Sequence, residues 1–316
     1  DQALGNSFTS DRQTRPMLVQ ERAVHIRGAP AAEAAESRKT RAVAKLPLRE
    51  PPFARATRWA LGAAYALQPQ RIASLPALML WSTLELLKGR TEVPAPARTR
   101  SIPDTFGGVV RALTPETYLA GLRIGFFPWA HCGPLKWWTR RERMVLFLPE
   151  RHTSRRVRRL RASGRYRVTF DTAFDEVVLK CGAPRAYNWH TLTWLTPRFM
   201  HLFSRLHRQG HAHSFEVWNA RGELVGGGFG VAIGRVFVGE SMFSNETDTS
   251  KLAAAVLYDH LEQWGFALVD ARDWTPVLEK TGYRRIPRAD YEQVLRDHAG
   301  APDRPGPWKA EPVTNP

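Results

Sequence analysis

The sequence predicts an α+β domain, a sheet carrying helices on its faces, and three observations point to it. Short runs with strand alternation recur between 165 and 272. Two of their connections read as tight turns, at Ala220-Arg221-Gly222-Glu223 and at Gly234. Stretches with helical spacing interrupt the strands, giving the order strand, helix, three antiparallel strands, helix, strand.

Taken in order, Arg165 to Phe170 alternates, with Tyr166, Val168 and Phe170 on one face. Asp175 to Lys180 reads as a short helix. Pro197 to Gln209 reads as a longer one, with Phe199, Leu202, Phe203 and Leu206 on its apolar side. Ser214 to Trp218, Leu224 to Ile233 and Val236 to Phe243 form a meander. The run Gly226-Gly227-Gly228-Phe229-Gly230 lies inside that meander and precedes no helix, so it is not a phosphate loop. Ser250 is placed to cap a helix running to Trp264, which Gly265 ends. Phe266 to Arg272 completes the set.

The flanks differ in texture. Residues 1–52 have no sustained period and read as flexible. Residues 53–90 read as a helical extension of two short apolar-faced helices around Trp59 to Leu67 and Ile72 to Leu87. The second is shorter than the roughly 20 residues of a spanning helix and contains Pro76 and Glu85. A hairpin that is buried or faces a partner is expected there, with a peripheral membrane contact as the alternative. Residues 91–105 read as a Pro-rich linker and 299–316 as a loose Pro-rich tail.

Of the 316 residues, 46 are Lys or Arg and 30 Asp or Glu, a formal charge of +16 that predicts an anionic partner, nucleic acid or an acidic membrane face. Two cysteines, Cys132 and Cys181, exclude a disulfide scaffold and predict free thiols in a cytoplasmic protein. No leader pattern follows Asp1, and a monomer is the expectation. The segment 136–167 holds 12 Lys/Arg against 2 Asp/Glu, with Trp137, Trp138, His152 and Tyr166 among them. Arginines position phosphates and aromatic faces accept unstacked bases, a combination suited to a single-stranded RNA end. The alternative is a solvated basic helix face from Thr153 to Ala162.

Several segments resemble the leucyl/phenylalanyl-tRNA–protein transferase family. They are Gly125-Phe126-Phe127-Pro128-Trp129, Trp137-Trp138, Val168-Thr169-Phe170-Asp171, Thr193-Trp194-Leu195-Thr196-Pro197, Gly210-His211-Ala212-His213-Ser214, Gly239-Glu240-Ser241-Met242-Phe243-Ser244, Leu268-Val269-Asp270 and Ile286-Pro287-Arg288. They stand in the family's order over about 110–295, and the first hundred residues lie outside the resemblance. The resemblance implies a small N-terminal domain (106–164, with the basic cluster) before an acetyltransferase-like (GNAT-type) catalytic domain with a mixed sheet (165–298). It implies transfer of a Leu- or Phe-like amino acid from tRNA to the N-terminal amine of an acceptor protein or peptide. The charged tRNA would lie on Trp137, Trp138, Arg140, Arg141, Arg155, Arg156, Arg158 and Arg159.

Leu268, Asp270 and Arg272 share a face of their strand by alternation, and a carboxylate there needs a partner or a task. By resemblance Asp270 is the catalytic aspartate. The family reads Asp-Cys-Gln where this chain reads Asp270-Ala271-Arg272. Glutamine can accept a proton or hydrogen bond from the attacking amine, whereas arginine only donates. Either Arg272 pairs with Asp270 and quenches it, or Asp270 acts directly while Arg272 binds an acidic group on the acceptor.

The resemblance also places Glu240, Gly228 and Phe243 by the aminoacyl side-chain pocket, and Trp129 and Trp194 by the terminal adenosine and incoming amine. Gly228, where relatives carry a large apolar residue, is expected to widen that pocket. Leu122 stands where a tyrosine is common, and Thr139-Arg140-Arg141-Glu142 replaces a Ser-Pro-Asp-Pro turn. His211 and His213 have no third ligand at metal spacing, so no metal is expected. The glycine-free connection Asn245–Lys251 argues against acetyl-CoA, and no cofactor is expected. Two alternatives remain: a tRNA-dependent transferase acting on a small-molecule or lipid amine, and a non-catalytic tRNA-binding relative.

Overall fold

The computed structural model describes residues 44–89, 91–96, 99, 105–129, 133–183 and 193–311. Most of the segment 1–52, part of the linker, Cys132 and residues 312–316 lie outside the described residues.

The helical extension forms as α1 (Pro52–Ala66), α2 (Pro69–Ile72) and α3 (Leu75–Lys88). Proline sits in the first turn of each, where its missing N–H leaves no bond unmade. Of the two expectations for this pair, buried or facing a partner, the first is not met. Phe53 is 84% exposed, Met79 70% and Leu87 77%. On α3 the exposed Met79, Leu80, Thr83 and Leu87 follow helical spacing, so the solvent face is the apolar one. No helix among the described residues is long and apolar enough to cross a membrane.

Next come β1 (Phe106–Val109), α4 (Pro115–Arg123), β2 (Phe127–Trp129) and β3 (Lys136–Trp138). Thr114 caps α4 in a reciprocal box with Thr117. These strands form a small sheet in the order β1-β3-β2. The chain continues with β4 (Glu142–Phe147), α5 (Arg155–Ala162), β5 (Arg167–Phe170), α6 (Phe174–Gly182) and α7 (Pro197–Arg208). Then follow β6 (Ala212–Trp218), β7 (Leu224–Ile233), β8 (Val236–Ser244), α8 (Thr249–Gln263) and β9 (Leu268–Arg272). The series closes with α9 (Pro276–Glu279), β10 (Arg284–Pro287) and α10 (Arg288–His298). The mixed α+β class is thus observed.

Among the described residues the large sheet has seven strands in the order β10-β4-β9-β8-β7-β6-β5. All its neighbours are antiparallel except β8 and β9, which run parallel through the crossover helix α8. β4 lies within 106–164, the segment the sequence reading sets apart, yet it pairs with β9 and β10 in this sheet. One face is covered by α4, α6, α7 and α10, the other by α8 with α5 behind it.

Two sequence expectations are corrected here. Helix α8 begins earlier than a Ser250 cap allows: Asp248 occupies the cap in a left-handed conformation, and Thr249 Oγ1 donates to the Val225 carbonyl at 3.0 Å. The tail is not loose up to Glu311. Trp308 is buried, stacks on His213 with ring centroids 3.5 Å apart, and donates its backbone N–H to Asp171 at 2.6 Å.

Candidate active site

The parallel ladder of β8 and β9 ends at Val238↔Asp270, and both strands are bulged just beyond. On β8, Phe229 pairs with Ser241 and Gly230 with Gly239, so Glu240 is the extra residue. On β9, Val145 pairs with Asp270 and Met144 with Arg272, so Ala271 is extra. Arg272 takes a left-handed backbone at φ +61°. Bulges bend a strand and re-aim a side chain. Here they bring Glu240 and Arg272 together on the face covered by α4 and α10.

Asp270 is fully buried. Its Oδ1 accepts from Arg143 Nε at 3.3 Å and from the Arg272 backbone N–H at 2.8 Å. Its Oδ2 accepts from a terminal nitrogen of Arg143 and from the Tyr291 hydroxyl at 2.7 Å. Burial alone would raise this carboxyl, but the Arg143 charge, the hydrogen bonds from Arg143 and Tyr291 and the Arg272 N–H hold it below the usual range. Each oxygen already has two donors, so Asp270 is a saturated anion.

The Arg272 guanidinium does not pair with Asp270, as one of the two sequence expectations required. A terminal nitrogen donates to Glu240 Oε1 at 2.5 Å and to the Tyr118 hydroxyl at 3.2 Å, and Tyr118 itself donates to Glu240 Oε1 at 2.6 Å. Tyr118 lies one turn before Leu122 on α4. Burial, with the Glu240 charge beside it, pushes its hydroxyl well above the ordinary tyrosine value, so it stays a donor. Phe127 presents its ring to three guanidinium groups, Arg140 at 4.7 Å, Arg272 at 5.1 Å and Arg143 at 5.7 Å.

An aromatic wall leads away from this cluster. Tyr118 meets Phe203 edge-on at 5.4 Å, Phe203 meets Trp194 at 5.9 Å, and Trp194 stacks on Trp129 at 6.3 Å. Phe243 is buried in the core on the same face. Gly228 does not widen a pocket there. A Cβ on it would meet Phe215 Cζ at 2.6 Å, the Ser241 carbonyl at 2.6 Å and Met242 Cγ at 2.8 Å. Phe215 and Met242 belong to the α8 face, so cross-strand side chains fill that space.

The residues expected on tRNA divide into two groups. Trp137 is 2% exposed and its indole packs against Gly121 in the core of the small sheet, which leaves no ring face for a base. Trp138 donates Nε1 to the Trp129 carbonyl at 3.1 Å, and Arg140 is paired to Asp273 at 2.6 Å beside Phe127. The exposed Arg141 sits at the start of β4, where its carbonyl receives the Arg288 N–H. Arg155, Arg156, Arg158 and Arg159 are exposed on α5, behind α8, on the opposite face of the sheet from Asp270. There Arg156 and Arg159, with Arg165, Tyr166 and the loop Asn245–Asp248, line a groove of about 650 Å³. Arg156 also pairs with Asp248 at 2.5 Å.

Arg143, Tyr118 and Tyr291 were not marked from the sequence, and Phe127 entered only within the resembling segment Gly125–Trp129. Arg143 carried a usable signal. It alternates with Val145 and Phe147 on its strand, and an inward arginine needs a buried carboxylate.

Residues 145–296 match the family model described as leucyl/phenylalanyl-tRNA protein transferase, a span containing Glu240, Asp270 and Arg272. The leucyl/phenylalanyl-tRNA–protein transferase of Stutzerimonas stutzeri is 47% identical over 63% of this chain and 86% of its own length. The transferase of the same name from Thiobacillus denitrificans is 45% identical over 62% of this chain and 85% of its own length. The solved structure of L-PGS from Bacillus licheniformis covers 50% of this chain at 10% identity and TM-score 0.31, a likeness too slight to define the fold.

Proposed function

The chain belongs to the leucyl/phenylalanyl-tRNA–protein transferase family, and on that premise we infer that it moves an amino acid from its tRNA to the N-terminal amine of an acceptor protein. The donor ester supplies the driving force, so the protein's work is alignment of the amine and stabilisation of charge at the carbonyl.

The reacting groups belong at the end of the parallel ladder, beside Arg272 and Glu240. The observation that carries this is the aromatic wall Trp129–Trp194–Phe203–Tyr118 ending on the Glu240 carboxylate. It offers stacking faces for an adenosine and an apolar flank for a Leu- or Phe-like side chain, with Phe243 in the same core. Asp270, saturated by its partners, takes no proton from the amine; it holds the Arg272 backbone and so positions the Arg272–Glu240 pair. The acetyltransferase-like architecture is supported by the parallel pair joined through α8 in an otherwise antiparallel sheet.

The tRNA body lies over α5, and its 3′ end crosses the C-terminal end of β8 to reach the other face. Glu240 stands four residues before Ser244, about 13 Å at a strand's rise. The exposed apolar stripe of α3 supports the peripheral contact expected of 53–90.

Incubation with labelled leucyl-, phenylalanyl- and other aminoacyl-tRNAs and model peptides tests the reading. Labelled peptide is the expected result. Label appearing only in small-molecule or lipid amines, or tRNA binding with no transfer, would overturn it.

A further inference from the structure

The Arg272–Glu240 pair is only half made. A guanidinium offers Nε and one terminal nitrogen along one edge, and a carboxylate answers with two oxygens in a bidentate fork. Here a terminal nitrogen of Arg272 reaches Glu240 Oε1, while Arg272 Nε and Glu240 Oε2 are both buried and have no hydrogen-bond partner among the described residues. A spare donor and a spare acceptor are therefore left on two oppositely charged groups that are already joined through their other atoms. Their positions are set by two bulges, by Tyr118 and by the Asp270 contact to the Arg272 backbone. Buried polar atoms are rarely left unmatched, and one that is calls for a reason such as strain, a catalytic role or a bound ligand.

We propose that this open fork is a two-point clamp for an α-aminoacyl unit, with Glu240 Oε2 accepting from its amine and Arg272 Nε donating to its carbonyl oxygen. An amine and a carbonyl one carbon apart present one donor and one acceptor at the spacing of a single fork. Glutamine at 272 could not hold the ion pair that fixes both atoms, so the clamp is a property of this chain's Arg272. The proposal deepens the transferase reading and rests on it. Two molecules in that reaction carry such a unit: the N-terminal residue of the acceptor and the aminoacyl group of the donor.

Equilibrium binding needs no turnover and judges the clamp directly. Phenylalaninamide carries both groups, phenethylamine lacks the carbonyl and 3-phenylpropanamide lacks the amine. The native chain is expected to bind the first about tenfold or more tighter than either of the others, as for a charged hydrogen bond left unmade. Arg272→Met is expected to lose the preference over phenethylamine and Glu240→Gln the preference over 3-phenylpropanamide. The double variant, which leaves no unpaired charge, is included in case a single one misfolds, and is expected to lose both preferences. Equal binding of all three by the native chain, no binding of any, or full discrimination by a folded variant would overturn the clamp.

Transfer assays then decide which unit is held. If the acceptor is clamped, reducing its first peptide carbonyl to a methylene raises the peptide KM about tenfold with little change in kcat. If the donor is clamped, replacing its α-amine by a hydroxyl does the same to the donor KM. Neither change moving either KM would overturn the clamp's part in the reaction. Absence of transfer to any peptide would sink the transferase reading instead, and the binding arm would still judge the clamp.

Discussion

Arg143 and Asp270 meet across the antiparallel strands β4 and β9, with side chains 1% and 0% exposed, and the guanidinium contacts both carboxylate oxygens. A buried pair of this kind costs desolvation on both sides, and breaking it by removing one partner typically costs about 3–5 kcal/mol. Asp270→Ala is therefore expected to lose roughly that much stability in urea denaturation. The double replacement Arg143→Met/Asp270→Leu, which leaves no orphaned charge, is expected to recover most of it. Transfer should stay low in the double variant, because the contact fixing the Arg272 backbone is gone. Full activity there would show that the pair has only a packing role.

The last described segment contributes to the core. Trp308 packs among His213, Phe237, Trp264 and Phe266, and its N–H is held by Asp171. Trp308→Ala is expected to cost about 3–5 kcal/mol, as for other buried large-to-small changes. A loss below about 1 kcal/mol by urea denaturation would mean that the tail is dispensable.

His213 makes stability pH-dependent near neutrality. Burial pushes its ring below 6.5, a pull that the hydrogen bond and charge of Asp171 oppose without reversing. The unfolded chain then takes up a proton near pH 6.5 that the folded chain refuses. More protons on the unfolded state means that stability rises with pH, so it falls as pH drops below about 6.5 and goes on falling until the folded ring titrates. Melts of wild type and His213→Gln between pH 7.5 and about 5 should show a shallower slope for the variant. Equal slopes would remove His213 as the cause.

What the sequence made legible was local. The helices α6 and α7 and the strands β5 to β9 follow from periods of 3.6 and 2 within their own windows. Asp270 could be marked because a carboxylate on an apolar strand is conspicuous, whereas Glu240 was marked through the family resemblance and Arg272 through its departure from the family's Asp-Cys-Gln. Non-local pairing was not legible. β4 reads as a strand of no particular sheet, and only its ladder to β9 turns Arg143 from one of a dozen basic residues into the counter-ion of Asp270. Net charge along the chain likewise merged Arg140 with the α5 arginines, although the sheet separates them. Trp137 looked like a base platform because burial of an aromatic cannot be read from its neighbours in sequence. The bulges at Glu240 and Ala271 insert one residue each without a composition signal.

Gly228 separates the pocket reading from the packing one. A side chain there would collide with Phe215, Met242 and the Ser241 carbonyl. Gly228→Leu is thus expected to destabilise by about 1–3 kcal/mol or more through overpacking. The preference among donor amino acids should stay as it is in the folded fraction. A clear switch in donor preference without loss of stability would return Gly228 to the pocket.

The placement of α5 behind the sheet makes the role of its arginines separable from chemistry. If phosphates lie on Arg155, Arg156, Arg158 and Arg159, each contact contributes about 0.7 to 0.9 to the slope of log affinity against log salt. Replacing all four by glutamine is expected to reduce that slope and to raise the KM for aminoacyl-tRNA. An aminoacyl-adenosine, which has no phosphates to lay on α5, should be used as well as by the wild type, since Glu240 and Arg272 sit on the other face and are untouched. Arg156 is also paired with Asp248, so a thermal melt of the variant is needed to confirm that α8 keeps its start. An unchanged salt slope would place the tRNA elsewhere, and equal losses with both donors would mean that the substitutions disturb the fold.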